Sequence, residues 1–357
     1  MKNAIVSLAA VVFGLLAGAV LMAVTGHNPI EGFSYMLQGG LKNPERIGNT
    51  LATATPLIFT GLSVAFAFRT GLFNIGAAGQ FLIGGLCATA VGLSFDWPRP
   101  LLLAAMVAAG MAGGALWAFI PGLLKAKFNV HEVVSTIMLN LTSYWIVYYT
   151  VPAYFKGAFL ETESKPLPDY ATLRAPFLTE MFDGSYINMG LFIAVITVIV
   201  IAFIIDRTTL GYELKAVGYN RHASEYAGIN VNRGIVTSML IAGALAGLGG
   251  VAQYTGNANN IQIGILPSQG FDGIAVALLG ANSAVGVLLA AVFFGLLYSG
   301  RGFMNAMTDI PPEIADSIIA IIIYFAATSV LIERLIRRFQ GRKTRNATGA
   351  ARAEKGE

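Results

Sequence analysis

The chain has 357 residues, of which 55% are hydrophobic and only 12% charged, and its formal net charge is +4. A soluble protein would carry roughly 25% charge, so a water-soluble globular domain is excluded, and the single cysteine, Cys87, excludes a disulfide framework within the chain. The cations gather at the ends of apolar runs, so the basic balance does not point to nucleic acid as a partner.

A bilayer core about 30 Å thick needs roughly 20 apolar residues in a spanning helix. Such runs recur along this chain and predict an all-α polytopic membrane protein with about ten transmembrane helices. The expected spans are about 4–24, 47–68, 72–95, 100–124, 132–153, 187–205, 234–254, 262–280, 284–300 and 314–333. The first run, Ile5 to Val24, exceeds a typical signal-peptide core and has no small-x-small cleavage site after it, so it is read as an uncleaved helix. The 41 glycines sit inside the apolar runs, where small residues let membrane helices approach closely.

Placing the N-terminus in the cytoplasm puts Lys2, Arg69, Lys125, Lys127, Arg207, Lys215, Arg221 and Arg233 on that side, together with eight cations from Arg334 to Lys355. That is the sense the positive-inside rule requires. Both termini are then cytoplasmic. The transmembrane domain is expected over residues 1–335, and the basic tail 336–357 is expected to face lipid headgroups.

Two spans begin polar and glycine-rich before turning apolar. Segment 72–95 opens with Asn74, Gly76, Gly79 and Gln80, and segment 262–280 contains Pro267, Gln269, Gly270, Asp272 and Gly273. They run in opposite senses within two four-span units, 47–153 and 234–333. Such an arrangement predicts two inverted-topology repeats with interrupted helices, a recurring transporter design.

Residues for covalent chemistry are missing. There is no G-x-x-x-x-G-K-[ST], H-E-x-x-H or G-x-S-x-G, and His27, His131 and His222 show no metal-ligand spacing. The candidates for a translocation pathway are therefore polar residues in the spans: Asn74, Gln80, Asn140, Gln269 and Asp272. Asp272 is the one ionisable residue clearly inside a span, where such groups are functional by default. It serves either a hydrated pathway or as the cap of a broken helix. Asn74 and Gln80 either satisfy freed backbone groups, the favoured reading, or bind solute. Thr136 and Asn140, four apart, share a helix face that either packs or lines a pore.

Two loops are long. The one at 154–186 carries Glu161, Glu163, Asp169, Glu180 and Asp183. The other, at 206–233, contains glycines at 211, 218 and 228 that are expected to break it, leaving a short surface helix at Arg221 to Tyr226. A loop of this length among tight connections calls for a function, and a short exposed helix suits docking into a partner's groove.

Three stretches carry a resemblance to a known family. They are RTGLFNIGAAGQ at Arg69–Gln80, LKAKFNVHEVVSTIMLN at Leu124–Asn140, and LGYELKAVGYNRHASEYAGIN at Leu210–Asn230, the last followed by GALAGLGG at Gly243–Gly250 and GFDGIAVALLG at Gly270–Gly280. At these residues the chain resembles the permease subunits of bacterial ATP-binding-cassette importers for nucleosides and simple sugars, neighbours of the branched-chain amino acid permeases. The second stretch most resembles the nucleoside type. The resemblance implies a permease of the bacterial cytoplasmic membrane that works by alternating access and has no ATPase site of its own. ATP and magnesium would be held by separate ATPase subunits, a second permease or a second copy would complete the pore, and an extracytoplasmic substrate-binding lipoprotein would deliver the solute. It also implies that Arg221, His222, Ala223, Ser224, Glu225, Tyr226, Ala227 and Gly228 form the element that couples to the ATPase. The acidic loop either docks the binding protein or is plainly solvated. Import of a pentose by the same machinery, and ion-coupled secondary transport, are the alternatives.

Overall fold

The computed structural model describes residues 2–157 and 160–328, and among them the chain forms fourteen α-helices. The basic tail expected at 336–357 lies outside the described residues. In chain order the helices are α1 (Lys2–Val24), α2 (Pro29–Leu41), α3 (Pro44–Arg69), α4 (Ala77–Ser94), α5 (Arg99–Phe128), α6 (Glu132–Tyr154), α7 (Pro176–Met181), α8 (Gly190–Arg207), α9 (Thr209–Tyr219), α10 (Arg221–Tyr226), α11 (Val231–Val251), α12 (Gln269–Leu279), α13 (Ala284–Thr308) and α14 (Pro312–Ala327). A π-helical segment, Ala252–Asn257, extends α11.

Seven of these are long and apolar enough to cross a membrane: α1 from Ser7, α3, α4, α5, α8, α11 with its π-helical extension, and α13. The chain is a polytopic membrane protein. The expected span at 262–280 needs correction, because only Gln269–Leu279 is helical there and the 258–268 stretch is irregular. Gly264 with φ +78° and Pro267 explain the late start. The span expected from 72 likewise becomes helical only at Ala77. Three helices were not expected: α7 within the stretch read as a loop at 154–186, and α2 and α9. Helix α2 is capped by Asn28, whose side chain accepts from the Ile30 N–H, with Pro29 in the first turn. Helix α9 passes straight through Gly211 and Gly218, which were expected to break it.

Helix contacts follow small residues, as they must where lipid removes the usual apolar driving force. Helices α5 and α11 cross through Gly114 and Gly247, and a Cβ on Gly247 would lie 2.3 Å from the Gly110 carbonyl oxygen. Any side chain there would force the two backbones apart. Helix α13 crosses α3 in the corresponding way, with Gly295 against Thr50 and Ala54. Helices α5 and α4 pack on α11, and α13 and α12 pack on α3. Helices α3 and α11 themselves run antiparallel. Thr70 at the end of α3 donates to Ser238 Oγ near the start of α11 (2.8 Å), and Asn257 donates to the Ala52 carbonyl (3.0 Å).

The segment after α6 is pinned rather than loose. The Ser164 N–H donates to the Ile261 carbonyl, Leu167 N–H to Asn259, and Leu173 N–H to Thr255. It therefore lies across the end of α11, at the face of the molecule opposite α9 and α10.

Candidate functional site

Three places gather the polar residues singled out in the sequence. The first is the break between α3 and α4. Asn74 and Gln80 exchange side-chain hydrogen bonds, the Asn74 amide donating to Gln80 Oε1 (2.9 Å) and the Gln80 amide to Asn74 Oδ1 (3.0 Å). Asn74 Oδ1 also accepts from the Gly76 N–H (3.1 Å). From α6, Asn140 reaches across, accepting from the Gly79 N–H (2.8 Å) and donating to the Ile75 carbonyl (3.0 Å). All three side chains are buried. Their polar atoms go to one another and to the backbone freed by the break, which lipid could not satisfy. Thr136, also fully buried, packs its methyl-bearing face close to Gly76.

The second place is the start of α12, where the two broken helices meet end to end. A Cβ on Gly270 would lie 2.3 Å from the Ala78 Cα, so the N-termini of α4 and α12 touch through their backbones. Asp272, half-buried in the first turn of α12, neighbours Ser268 and Tyr298. Beyond Tyr298 lies the Arg301–Asp316 ion pair (2.7 Å) between α13 and α14. Gln269 does not join the Asn74 cluster. It lines a cavity of about 430 Å³ with Asn49, Thr53, Tyr186, Gln253 and Asn257. These other residues were not singled out in the sequence, since each is an isolated polar residue near a helix end or in a loop. The one signal was Gln253 and Asn257, four apart at the end of an apolar run.

The third place is the α10 face. Asn220 ends α9 and caps α10, its side chain accepting from the Ala223 N–H (3.1 Å). Ser224 is buried and donates back to the Asn220 carbonyl (2.9 Å), which anchors the short helix. Gly228 closes the turn at φ +82°, and its N–H donates to the Glu225 carbonyl (3.0 Å). Asn230 then caps α11 by accepting from the Arg233 N–H. This fixed geometry leaves His222, Ala223, Glu225, Ala227 and Gly228 exposed, with Arg221 half-buried, and Tyr226 is 94% exposed. Arg221, His222, Glu225 and Gly228 share a concavity of about 660 Å³ with Lys125 and Lys127 at the end of α5. Helix α9 links this surface to the bundle interior, because a Cβ on Gly218 would lie 2.3 Å from the Arg69 carbonyl oxygen. At that point α3 ends and the break begins.

The model of a family described as branched-chain amino acid transport system / permease component matches residues 46–327. The chain is 43% identical over 333 residues to the guanosine ABC transporter permease protein NupP of Bacillus subtilis, covering 93% of this chain and 95% of that protein. It is 41% identical over 353 residues to the nucleoside ABC transporter permease protein NupB of Lactococcus lactis subsp. cremoris, covering 97% of each. It is 32% identical over 332 residues to the glucose ABC transporter permease protein TsgB13 of Haloferax volcanii, covering 91% of this chain and 87% of that one. No solved structure matches. Since the family match runs from the first turn of α3 to the end of α14, and so takes in both broken helices and the α10 surface, the chain belongs to the branched-chain amino acid transport system permease family.

Proposed function

We propose that this chain is the transmembrane permease subunit of an ATP-binding-cassette importer for nucleosides. The observation that carries this reading is the near full-length likeness to permeases named for guanosine and for nucleosides. Glucose import is the second reading, favoured by the likeness to a glucose permease. On either reading the chain makes no covalent chemistry. ATP and magnesium are held by separate ATPase subunits, a second permease or a second copy completes the pathway, and a binding lipoprotein delivers solute at the face bearing the 155–189 segment. The α10 face, with both chain termini, is cytoplasmic, and the units 47–153 and 234–333 are inverted repeats.

Arg221 to Gly228 form the coupling element. Nucleotide-driven closure of the ATPases displaces α10, and the capped turn at Asn220 passes the displacement to α9. Gly218 then bears on the end of α3, where the backbone is broken and its hydrogen bonds run to side chains. Coupling requires that the nucleotide state favour one arrangement of this break over another. Asn74, Gln80 and Asn140 hold the break in a defined form, while Gln269 and Asp272 lie on the pathway side of it. The test is purification of the tagged chain in mild detergent with identification of its companions. An ATPase that co-purifies and is stimulated by a nucleoside-loaded binding protein supports the reading. A chain that purifies alone and transports down an ion gradient overturns it.

A further inference from the structure

We infer that the cavity lined by Asn49, Thr53, Tyr186, Gln253, Asn257 and Gln269 is a solute-binding site of this chain, and that its solute is neutral and offers both hydrogen-bond donors and acceptors. The inference rests on the importer reading above and narrows its substrate class. The cavity holds about 430 Å³, within the roughly 300–1,000 Å³ usual for small-molecule sites. Its floor reaches Gln269, one residue from the backbone contact between the two broken helices at Gly270 and Ala78. Its rim is Tyr186, in the segment that lies across the end of α11.

The polar groups divide into those that build the site and those left open. Asn257 is committed: its amide donates to the Ala52 carbonyl (3.0 Å) and to Gln253 Oε1 (3.2 Å), and its oxygen accepts from Asn188 (2.8 Å). That bond fixes the Gln253 amide by its oxygen and leaves its NH2 group without a partner among the described residues. Asn49 is held in the same way. Its oxygen accepts from the Tyr186 N–H (3.0 Å), and its NH2 group has no described partner. Gln269 makes no side-chain hydrogen bond among the described residues, so both its donor and its acceptor are open. Three half-buried amides from three separate elements thus converge on one cavity with hydrogen-bonding capacity that no described residue uses. The π-helical turn Ala252–Asn257 sets Gln253 and Asn257 into the cavity, and such turns are frequent at functional sites.

Charge decides the class of solute. No lining residue is charged. Arg174 stands behind Tyr186, its guanidinium 5.2 Å from the ring centroid, and is occupied by the Gly256 and Asn257 carbonyls (2.9 and 2.6 Å). A zwitterionic amino acid would enter with both charges uncompensated, at a large desolvation cost. A nucleoside or sugar, with hydroxyls and ring acceptors, matches three free NH2 groups and one free carbonyl.

The test is uptake by the complete importer, with its ATPase and binding protein, in proteoliposomes offered radiolabelled guanosine, glucose or leucine. Gln269→Ala loses no bond within the protein, so the complex is recovered in normal amount, and guanosine uptake below saturation falls about tenfold, the value of one or two lost hydrogen bonds. Asn49→Ala acts in the same direction. Normal guanosine uptake in both variants overturns the site and leaves the importer reading intact. Uptake of glucose but not guanosine by the unaltered complex overturns the nucleoside assignment alone, and the same two variants then lower glucose uptake if the site stands. Uptake of leucine in place of either overturns both.

Discussion

Asn140 offers the sharpest separation between a pathway residue and a clamp. Its side chain is buried and spans α6 to the broken start of α4, accepting from the Gly79 N–H at 2.8 Å and donating to the Ile75 carbonyl at 3.0 Å. In Asn140→Ala both backbone groups lose their partners in a place without water. Each buried unsatisfied group costs about 1–3 kcal/mol, so the variant is destabilised by about 2–6 kcal/mol. Asn140→Asp keeps an acceptor for Gly79 but loses the donor to Ile75 and buries a carboxylate, so it fares no better. The assay is thermal unfolding of the purified chain in detergent, followed by tryptophan fluorescence, alongside uptake by the reconstituted complex. The expected result is a clearly lowered unfolding midpoint, with uptake lost in step with folded protein. An unchanged midpoint with abolished uptake would refute the clamp and return Asn140 to the pathway.

Four further outcomes are expected. Tyr226→Ala, which removes the most exposed aromatic of α10, weakens ATPase recovery by about 2 kcal/mol, as for an interface anchor, without altering membrane insertion; equal recovery in a dilution series argues against docking there. Glu225→Ala and Gly228→Val impair solute-stimulated ATP hydrolysis, and unchanged transport in both would count against the α10 assignment. Gly218→Leu drives a side chain into the Arg69 carbonyl, at an overpacking cost of about 1–3 kcal/mol. Its complex still assembles but hydrolyses ATP without import, and coupled import in that variant would remove α9 from the transmission path. Asp272→Ala lowers uptake while the complex assembles, whereas normal uptake removes Asp272 from the pathway; it is not the cap of α12, which starts after Ser268 without a side-chain cap.

Apolar run length was enough to locate the long helices, because a spanning helix must be continuous and apolar whatever it packs against. The first break was legible for the same reason, since Asn74-Ile75-Gly76 interrupts such a run, whereas the second was misplaced: Gln269-Gly270-Phe271-Asp272 lies inside α12 and the irregular stretch precedes it. Helix α10 was readable as the stretch closed by Gly228, while its Asn220 cap was not. Helix α9 was not, because Gly218 reads as a breaker until the Arg69 carbonyl is seen against it. There the glycine serves close approach rather than a turn. Helix α2 was hidden by its glycines and short length. The cavity was the least legible feature. Asn49, Tyr186, Gln253 and Gln269 are far apart in the chain and belong to no common motif. They meet only because α3 and α11 run antiparallel and α12 starts late.

That late start ties the two ends of the molecule together. From α10 the backbone passes through the Asn220 cap into α9, and Gly218 rests on the last carbonyl of α3. The break that follows is held by Asn74, Gln80 and Asn140, and its far side, Ala78, rests on Gly270. Gln269, the next residue, lines the amide cavity. At Gly218 and at Gly270 the contact is made through backbone, with no long side chain between to absorb a displacement by changing rotamer. A packed interior of this kind is bistable rather than continuously deformable. On the proposed coupling role of α10, a push there would either leave the break as it is or move α12 with it, and moving α12 would move Gln269 relative to Gln253 and Asn49. If the proposed solute site stands, separating its three amides would release the solute, since a site of modest individual hydrogen bonds is emptied by a small shift.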